Sequence, residues 1–132
     1  MIHPVLVDTS AWIDALRQDG DPDIRSAVKV LTADGEAVLC DMVRLELWNG
    51  ARGRAERRFL AALEKELECV PTSAEVWRTA IKLADACRRK GITVPATDLL
   101  IAGCAEHHGL GLLHHDTHFD QIAHAAGQNP HR

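Results

Sequence analysis

At 132 residues with 46% hydrophobic content, the chain has the size of one domain and enough apolar material for its own core, which excludes a disordered polypeptide. Its formal net charge is -4, with 15 Lys plus Arg against 19 Asp plus Glu, so a basic nucleic-acid-binding composition is excluded. Aromatics are 4% and tyrosine is absent, which excludes an aromatic stacking platform for single strands but not an RNA substrate, because bound divalent cations invert the local field of an acidic cluster.

The run Pro4-Val5-Leu6-Val7 reads as a strand, and Asp8 ends it. Thr9-Ser10 leads into a helical pattern over residues 11–16. Asp19-Gly20-Asp21-Pro22 is a loop that starts a second helix over 22–33, closed by Asp34-Gly35. Ala37-Val38-Leu39-Cys40 is the second strand. Asp41 follows it in a position to cap a helix over 42–48, stopped by Asn49-Gly50. Phe59, Leu63 and Leu67 set the apolar stripe of a helix over 54–67. Cys69-Val70 reads as a short strand, and Thr72 or Ser73 caps a long helix with Val76, Ala80, Leu83 and Cys87 on its buried face, ended by Gly91. Pro95 opens a helix that is apolar nearly all round through Leu99-Leu100-Ile101-Ala102-Gly103-Cys104-Ala105, the mark of a buried helix. Gly109 stops it. Leu110-Gly111-Leu112-Leu113 is a further strand, residues 118–126 a last short helix, and the tail from about 127 reads as frayed.

Strands alternating with helices predict an α/β fold, a three-layer α/β/α sandwich on a mainly parallel sheet of four to five strands, in a single domain over 1–132. The strands are continuous apolar runs, as expected where helices cover both faces. Cys40, Cys69, Cys87 and Cys104 form no CxxC pair and read as small core residues in a reducing compartment. No signal-peptide pattern and no run of about 18 apolar residues is present, so the expected location is cytoplasmic, with no membrane partner.

Acids stand at or just beyond the C-terminal ends of three apolar runs: Asp8, Asp41 and, after His114-His115, Asp116. In an open parallel sheet those strand ends share one edge, where ligands bind. Each position equally suits a helix cap. Glu46 lies beside an apolar helix face, one turn after Met42 and Val43. Asp98 lies in the first turn of the most apolar helix, where the dipole favours a carboxylate by about 0.3–1 kcal/mol. Carboxylates drawn together repel and take up protons unless a hard cation such as Mg²⁺ or Mn²⁺ lies between them.

Val7-Asp8-Thr9-Ser10-Ala11-Trp12, Val43-Arg44-Leu45-Glu46-Leu47, Pro95-Ala96-Thr97-Asp98-Leu99-Leu100-Ile101-Ala102 and Leu113-His114-His115-Asp116-Thr117-His118-Phe119 together resemble, in order and spacing, the four motifs of the PIN-domain family, in particular its VapC-type toxins of bacterial toxin–antitoxin pairs. The resemblance implies a PIN-like fold and an Mg²⁺- or Mn²⁺-dependent endoribonuclease leaving 5′-phosphate and 3′-hydroxyl ends. It assigns Asp8, Glu46, Asp98 and Asp116 to the catalytic, metal-holding site, with Ser10 as a nearby polar contact, and makes Asp41 a helix cap. It also implies an RNA substrate, a cognate antitoxin that covers the acidic groove with a basic side chain, and a homodimer. The chain departs from the pattern twice: His118 stands where many relatives carry another acid, and the usual last strand is hard to find in residues 128–132.

Two basic clusters, Arg52, Arg54, Arg57 and Arg58, and Arg88, Arg89 and Lys90, are candidates for holding a phosphate backbone or for solvated helix faces. Seven of the eight histidines lie from His107 onward. An imidazole at His118 beside the acids would favour Mn²⁺ or another transition ion over Mg²⁺. Trp12 and Trp48 read as partner surface or as partly buried core. A non-catalytic PIN-like interaction module is the alternative, and its mark would be loss of the acids. An HD-type phosphohydrolase, suggested by His115-Asp116, would need histidines on upstream helices, and only His3 precedes His107.

Overall fold

The computed structural model describes residues 3–127. In chain order the elements are β1 (Val5–Val7), α1 (Thr9–Leu16), α2 (Pro22–Ala33), β2 (Ala37–Cys40), α3 (Asp41–Asn49), α4 (Gly53–Glu66), β3 (Cys69–Val70), α5 (Ala74–Arg89), α6 (Ala96–His107), β4 (Gly111–Leu113) and α7 (Thr117–Ala125). The strands form one parallel sheet in the order β3-β2-β1-β4, registered by Leu6 against Val38 on one side and Leu112 on the other. Among the described residues the sheet has four strands, within the expected four to five. The tail in which a fifth was sought lies outside the described residues.

Strand order places the site. The first two crossovers each move one strand to the same side, β1 to β2 to β3. The third returns past both to pair β4 with the free edge of β1. With right-handed connections, α5 and α6 therefore cover the opposite face from α1 to α4, and the order of strand addition reverses between β1 and β4. That reversal is where an open α/β sheet leaves a crevice at its C-terminal strand ends. Asp8 follows β1 and its backbone N–H donates to Leu113 O at the end of β4, 2.9 Å away.

Leu6, Val7 and all four residues of β2 are buried, as continuous apolar strands predict. The α5 stripe is the predicted one, Val76, Ala80, Leu83 and Cys87. It packs against α6, in which Leu100 to Ala105 are all buried. The two helices approach closely because Gly103 has no side chain: a Cβ there would lie 2.9 Å from the Ala80 backbone N. Gly109 ends α6 at a φ of 66°, a left-handed conformation that suits glycine.

Three local expectations are corrected. The buried residues of α4 are Leu60 and Leu63; Phe59 is half-exposed, its ring edge-on to the buried Trp12. Leu63 is buried as expected, while Leu60 takes the place of Phe59, whose ring meets Trp12 of α1. Asp41 is not a cap. It is the first residue of α3, Cys40 holds the cap position, and the Asp41 carboxylate pairs with Arg44 at 3.2 Å. Helix α1 begins at Thr9, two residues early, because Asp8 caps it by accepting the Ser10 N–H. The four cysteines are free thiols, three of them buried. Among the described residues no helix is long and apolar enough to cross a membrane.

Candidate active site

Three of the predicted acids stand at helix N-termini around the crevice. Asp8 is the N-cap of α1 and Asp116 the N-cap of α7, accepting the His118 N–H at 2.9 Å. Asp98 lies in the first turn of α6. Free N–H groups and the positive end of each helix favour negative charge there. Asp8 and Asp98 are the only buried charged side chains among the described residues, 3% and 8% exposed. Acids so deep in an apolar setting are uncommon and mark a candidate site.

The tightest gathering is Asp98, Asp116 and His118, with one ligand atom from each inside a 4.8 Å circle. His118 Nδ1 lies 2.9 Å from Asp98 Oδ2 and 3.0 Å from Asp116 Oδ1. Asp8 faces this group, and its charge and those of Asp98 and Asp116 repel. Its Oδ2 accepts the Ser10 hydroxyl at 2.6 Å and the Ser10 N–H at 2.9 Å, while Oδ1 is buried with no hydrogen-bond partner. Glu46, on α3, stands one step further out. Its Oε1 accepts the Thr9 hydroxyl at 2.7 Å, so the residue after Asp8 ties it to the cluster's edge. Asp41, at the end of β2, faces β3 instead, with Thr72 and Cys69 beside its carboxylate.

Burial, above all, raises the Asp8 carboxyl pKa above its ordinary value, against the pull of the Ser10 bonds, and the Asp116 charge adds to it. Burial first, then the Asp116 charge, pushes Asp98 up to about 6 despite its hydrogen bond to His118. These carboxylates resist ionising together. A divalent cation would relieve both the repulsion and the orphaned Asp8 oxygen, so the donor set fits such an ion.

One further residue joins the site that the sequence did not single out, Asp14. Asp14 Oδ2 lies 2.6 Å from His115 Nδ1 and raises the pKa of that imidazole. The His115 N–H donates to Ser10 Oγ at 2.9 Å, so Ser10 bridges Asp8 and the β4–α7 loop. Asp14 stands four residues after Ser10, on the same side of α1, which is the local trace of it in the sequence. His114 is buried against Phe119, and its Nδ1 accepts the Asp116 N–H at 3.3 Å. The basic clusters divide. Arg88 and Arg89 pair with Asp85 within α5, and Lys90 Nζ donates to His124 O near the end of α7. Arg54, Arg57 and Arg58 are exposed, with no ion pair among the described residues.

A concavity of about 780 Å³ between α1, α2 and α4 is lined by Trp12, Ala15, Val28 and Phe59 among others and has no acid in its lining. A smaller opening of about 430 Å³ is lined by His114, His115, Asp116, Thr117 and Asp120, so Asp116 is the candidate acid that reaches it. The site is marked by the grouping of its acids rather than by a large cavity.

A PIN-domain family model matches residues 5–125. Ribonuclease VapC21 of Mycobacterium tuberculosis is 35% identical over 105 residues, covering 77% of this chain and 76% of that protein. Ribonuclease VapC51 of the same organism is 32% identical over 126 residues, covering 93% and 88%. Among solved structures, FitAcB from Neisseria gonorrhoeae superimposes with a TM-score of 0.73 at 19% identity over 97% of this chain and 96% of that one. VapBC2 from Rickettsia felis, bound to a DNA fragment from its promoter, gives 0.72 at 20% identity over 89% of each. Both support the fold.

Proposed function

The chain belongs to the PIN-domain family, among its VapC ribonucleases, and from that premise we propose that it is a divalent-metal-dependent endoribonuclease, the toxin of a toxin–antitoxin pair. The observation that carries the reading is the convergence of Asp8, Asp98 and Asp116 on one crevice, with a buried Asp8 oxygen left unpartnered. Asp8, Asp98, Asp116 and, at the edge, Glu46 would hold Mg²⁺ or Mn²⁺. When bound, the ion supplies a nucleophilic water near neutral pH and stabilises the leaving 3′-oxygen, giving 5′-phosphate and 3′-hydroxyl ends.

The protein's own part is positioning. Ser10 fixes the Asp8 carboxylate with two hydrogen bonds, Thr9 aims Glu46, and His114 supports the Asp116 backbone. These supports hold the acids in place before substrate arrives. Arg54, Arg57 and Arg58 supply the exposed cations that would meet the RNA backbone outside the acidic centre.

Purified chain given RNA with Mg²⁺ or Mn²⁺ is expected to cleave it, and chelator to stop it. Asp8→Ala and Asp98→Ala are expected to abolish cleavage and keep the fold. Cleavage by either variant at the wild-type rate would remove the site assignment. The partner reading is a cognate antitoxin that covers the acidic groove with a basic side chain, in a cytoplasmic, homodimeric, single-domain toxin. Co-purification with the neighbouring gene's product, with light scattering for the oligomer, tests it.

A further inference from the structure

The PIN pattern often carries an acid where this chain has His118, and the geometry there is that of a ligand. Donor atoms that are neighbours around an octahedral ion at about 2.1 Å stand about 3.0 Å apart. His118 Nδ1 stands 2.9 Å from Asp98 Oδ2 and 3.0 Å from Asp116 Oδ1. All three atoms lie within 4.8 Å of one another, against a separation of about 4.2 Å between opposed donors around such an ion. The imidazole is placed by backbone as well: its own N–H is held by Asp116, whose N–H is held in turn by His114. Behind the group lies Asp8, buried, with Oδ1 unpartnered. That orphaned oxygen points to a missing cation independently of the acidic cluster itself.

We propose that His118 binds the metal directly through Nδ1, and that this makes the site selective for a first-row transition ion, with Mn²⁺ as the type, over Mg²⁺. The inference rests on the metal-dependent reading above and deepens it. Replacing an acid by a neutral imidazole removes one negative charge and one oxygen donor. Mg²⁺ depends on both, since it is a hard ion that keeps its waters and takes carboxylates. Ions from Mn²⁺ onward accept imidazole nitrogen readily and gain from it.

The test uses the full chain, metal-free, titrated with Mn²⁺ and followed by electron paramagnetic resonance, with Mg²⁺ as competitor. Pulsed spectra of bound Mn²⁺ are expected to show coupling to an imidazole nitrogen. The coupling is expected to vanish in His118→Ala and His118→Asp. Loss of even an outer partner of a ligand costs about 10–100-fold in affinity, so His118→Ala is expected to weaken Mn²⁺ by at least about tenfold. His118→Asp, which restores the common acid, is expected to keep Mg²⁺ binding and to lower the Mn²⁺/Mg²⁺ preference by about tenfold. Thermal melts without metal confirm that each variant is folded, and His118→Asp carries the test if His118→Ala is not. Bound Mn²⁺ without nitrogen coupling, coupling that survives in either variant, or an unchanged preference in His118→Asp overturns the role of His118 and leaves the ribonuclease reading standing. A wild-type chain that binds neither ion overturns both.

Discussion

Asp98→Asn is expected to make the metal-free protein more stable while disabling it. Burial and the Asp116 charge move the Asp98 carboxyl from 3.8 to about 6. At about 1.4 kcal/mol per pH unit this corresponds to about 3 kcal/mol of native-state strain when the group is ionised. The sign follows from proton counting. Between pH 4 and 6 the folded chain keeps a proton that the unfolded chain has lost, so stability falls as pH rises and levels off above the folded value. Asparagine has the same shape, is never charged and still accepts a hydrogen bond from His118. The attraction to His118 is already contained in that net shift, so the gain at pH 7.5 is about 3 kcal/mol, or about 12 °C in Tm for a domain of this size. The assay is urea or thermal unfolding of both proteins in chelator from pH 4 to 8. The curves are expected to meet near pH 4 and separate as pH rises. An ion at 100 times its Kd is then expected to raise the wild type by about 2.7 kcal/mol and the variant far less. If the variant were the less stable protein at pH 7.5 without metal, or its advantage were the same at pH 4, the argument from buried like charges would be refuted.

Ser10→Ala removes the hydroxyl that donates to Asp8 and accepts from the His115 N–H. It is expected to cost about 1–3 kcal/mol in denaturant titrations and about 10–100-fold in Mn²⁺ affinity; no change in either would deny Ser10 its bridging role. Gly103→Ala gains about 1 kcal/mol of helix propensity, but its Cβ meets the Ala80 backbone at 2.9 Å. A net loss of about 1–3 kcal/mol is therefore expected from forcing α5 and α6 apart, and a rise in Tm would show that the two helices are not so tightly set. Neutralising Arg57 and Arg58 together is expected to weaken RNA binding and to reduce its logarithmic salt slope by about 1.4, at about 0.7 per phosphate contact on a single strand. An unchanged slope would return both residues to the role of a solvated helix face.

The sequence located the acids to the extent that local pattern determines where side chains go. Asp8 and Asp116 were legible because an apolar run ending in an acid is a strand end, and parallel strands share that edge. Asp98 was legible because a charge in so apolar a helix is anomalous. Asp41 ends β2 in the same way as Asp8 ends β1, yet stays out of the cluster. The distinction lies in the strand order β3-β2-β1-β4, which no local run encodes. The Asp14–His115 contact, 2.6 Å across 101 residues of sequence separation, was hidden for the same reason. Glu46 looked like an ordinary helix residue by position, and only its motif singled it out. The structure links it to the site through Thr9. The α4 stripe was misplaced at one position because periodicity gives a face but not what that face meets, and Phe59 meets Trp12.

How three acids can face one another without a lysine or arginine among them is a question of helix ends. No guanidinium or ammonium pairs with Asp8, Asp98 or Asp116 among the described residues; their only ion-pair partner is the His118 imidazole. The balancing positive charge comes instead from the N-termini of α1, α6 and α7, which converge because their preceding strands or loops end at one edge of the sheet. A dipole offsets part of the repulsion but cannot enter the space between the carboxylates, whereas a basic side chain would fill it and exclude an ion. The fold thus keeps the acids close, with only the His118 imidazole set between Asp98 and Asp116. The same vacancy of charge that admits a metal also admits a basic side chain offered by a covering protein. In the proposed toxin, activity and inhibition therefore draw on one electrostatic deficit, and a partner that supplies a cation from outside can silence the site without any change in the fold.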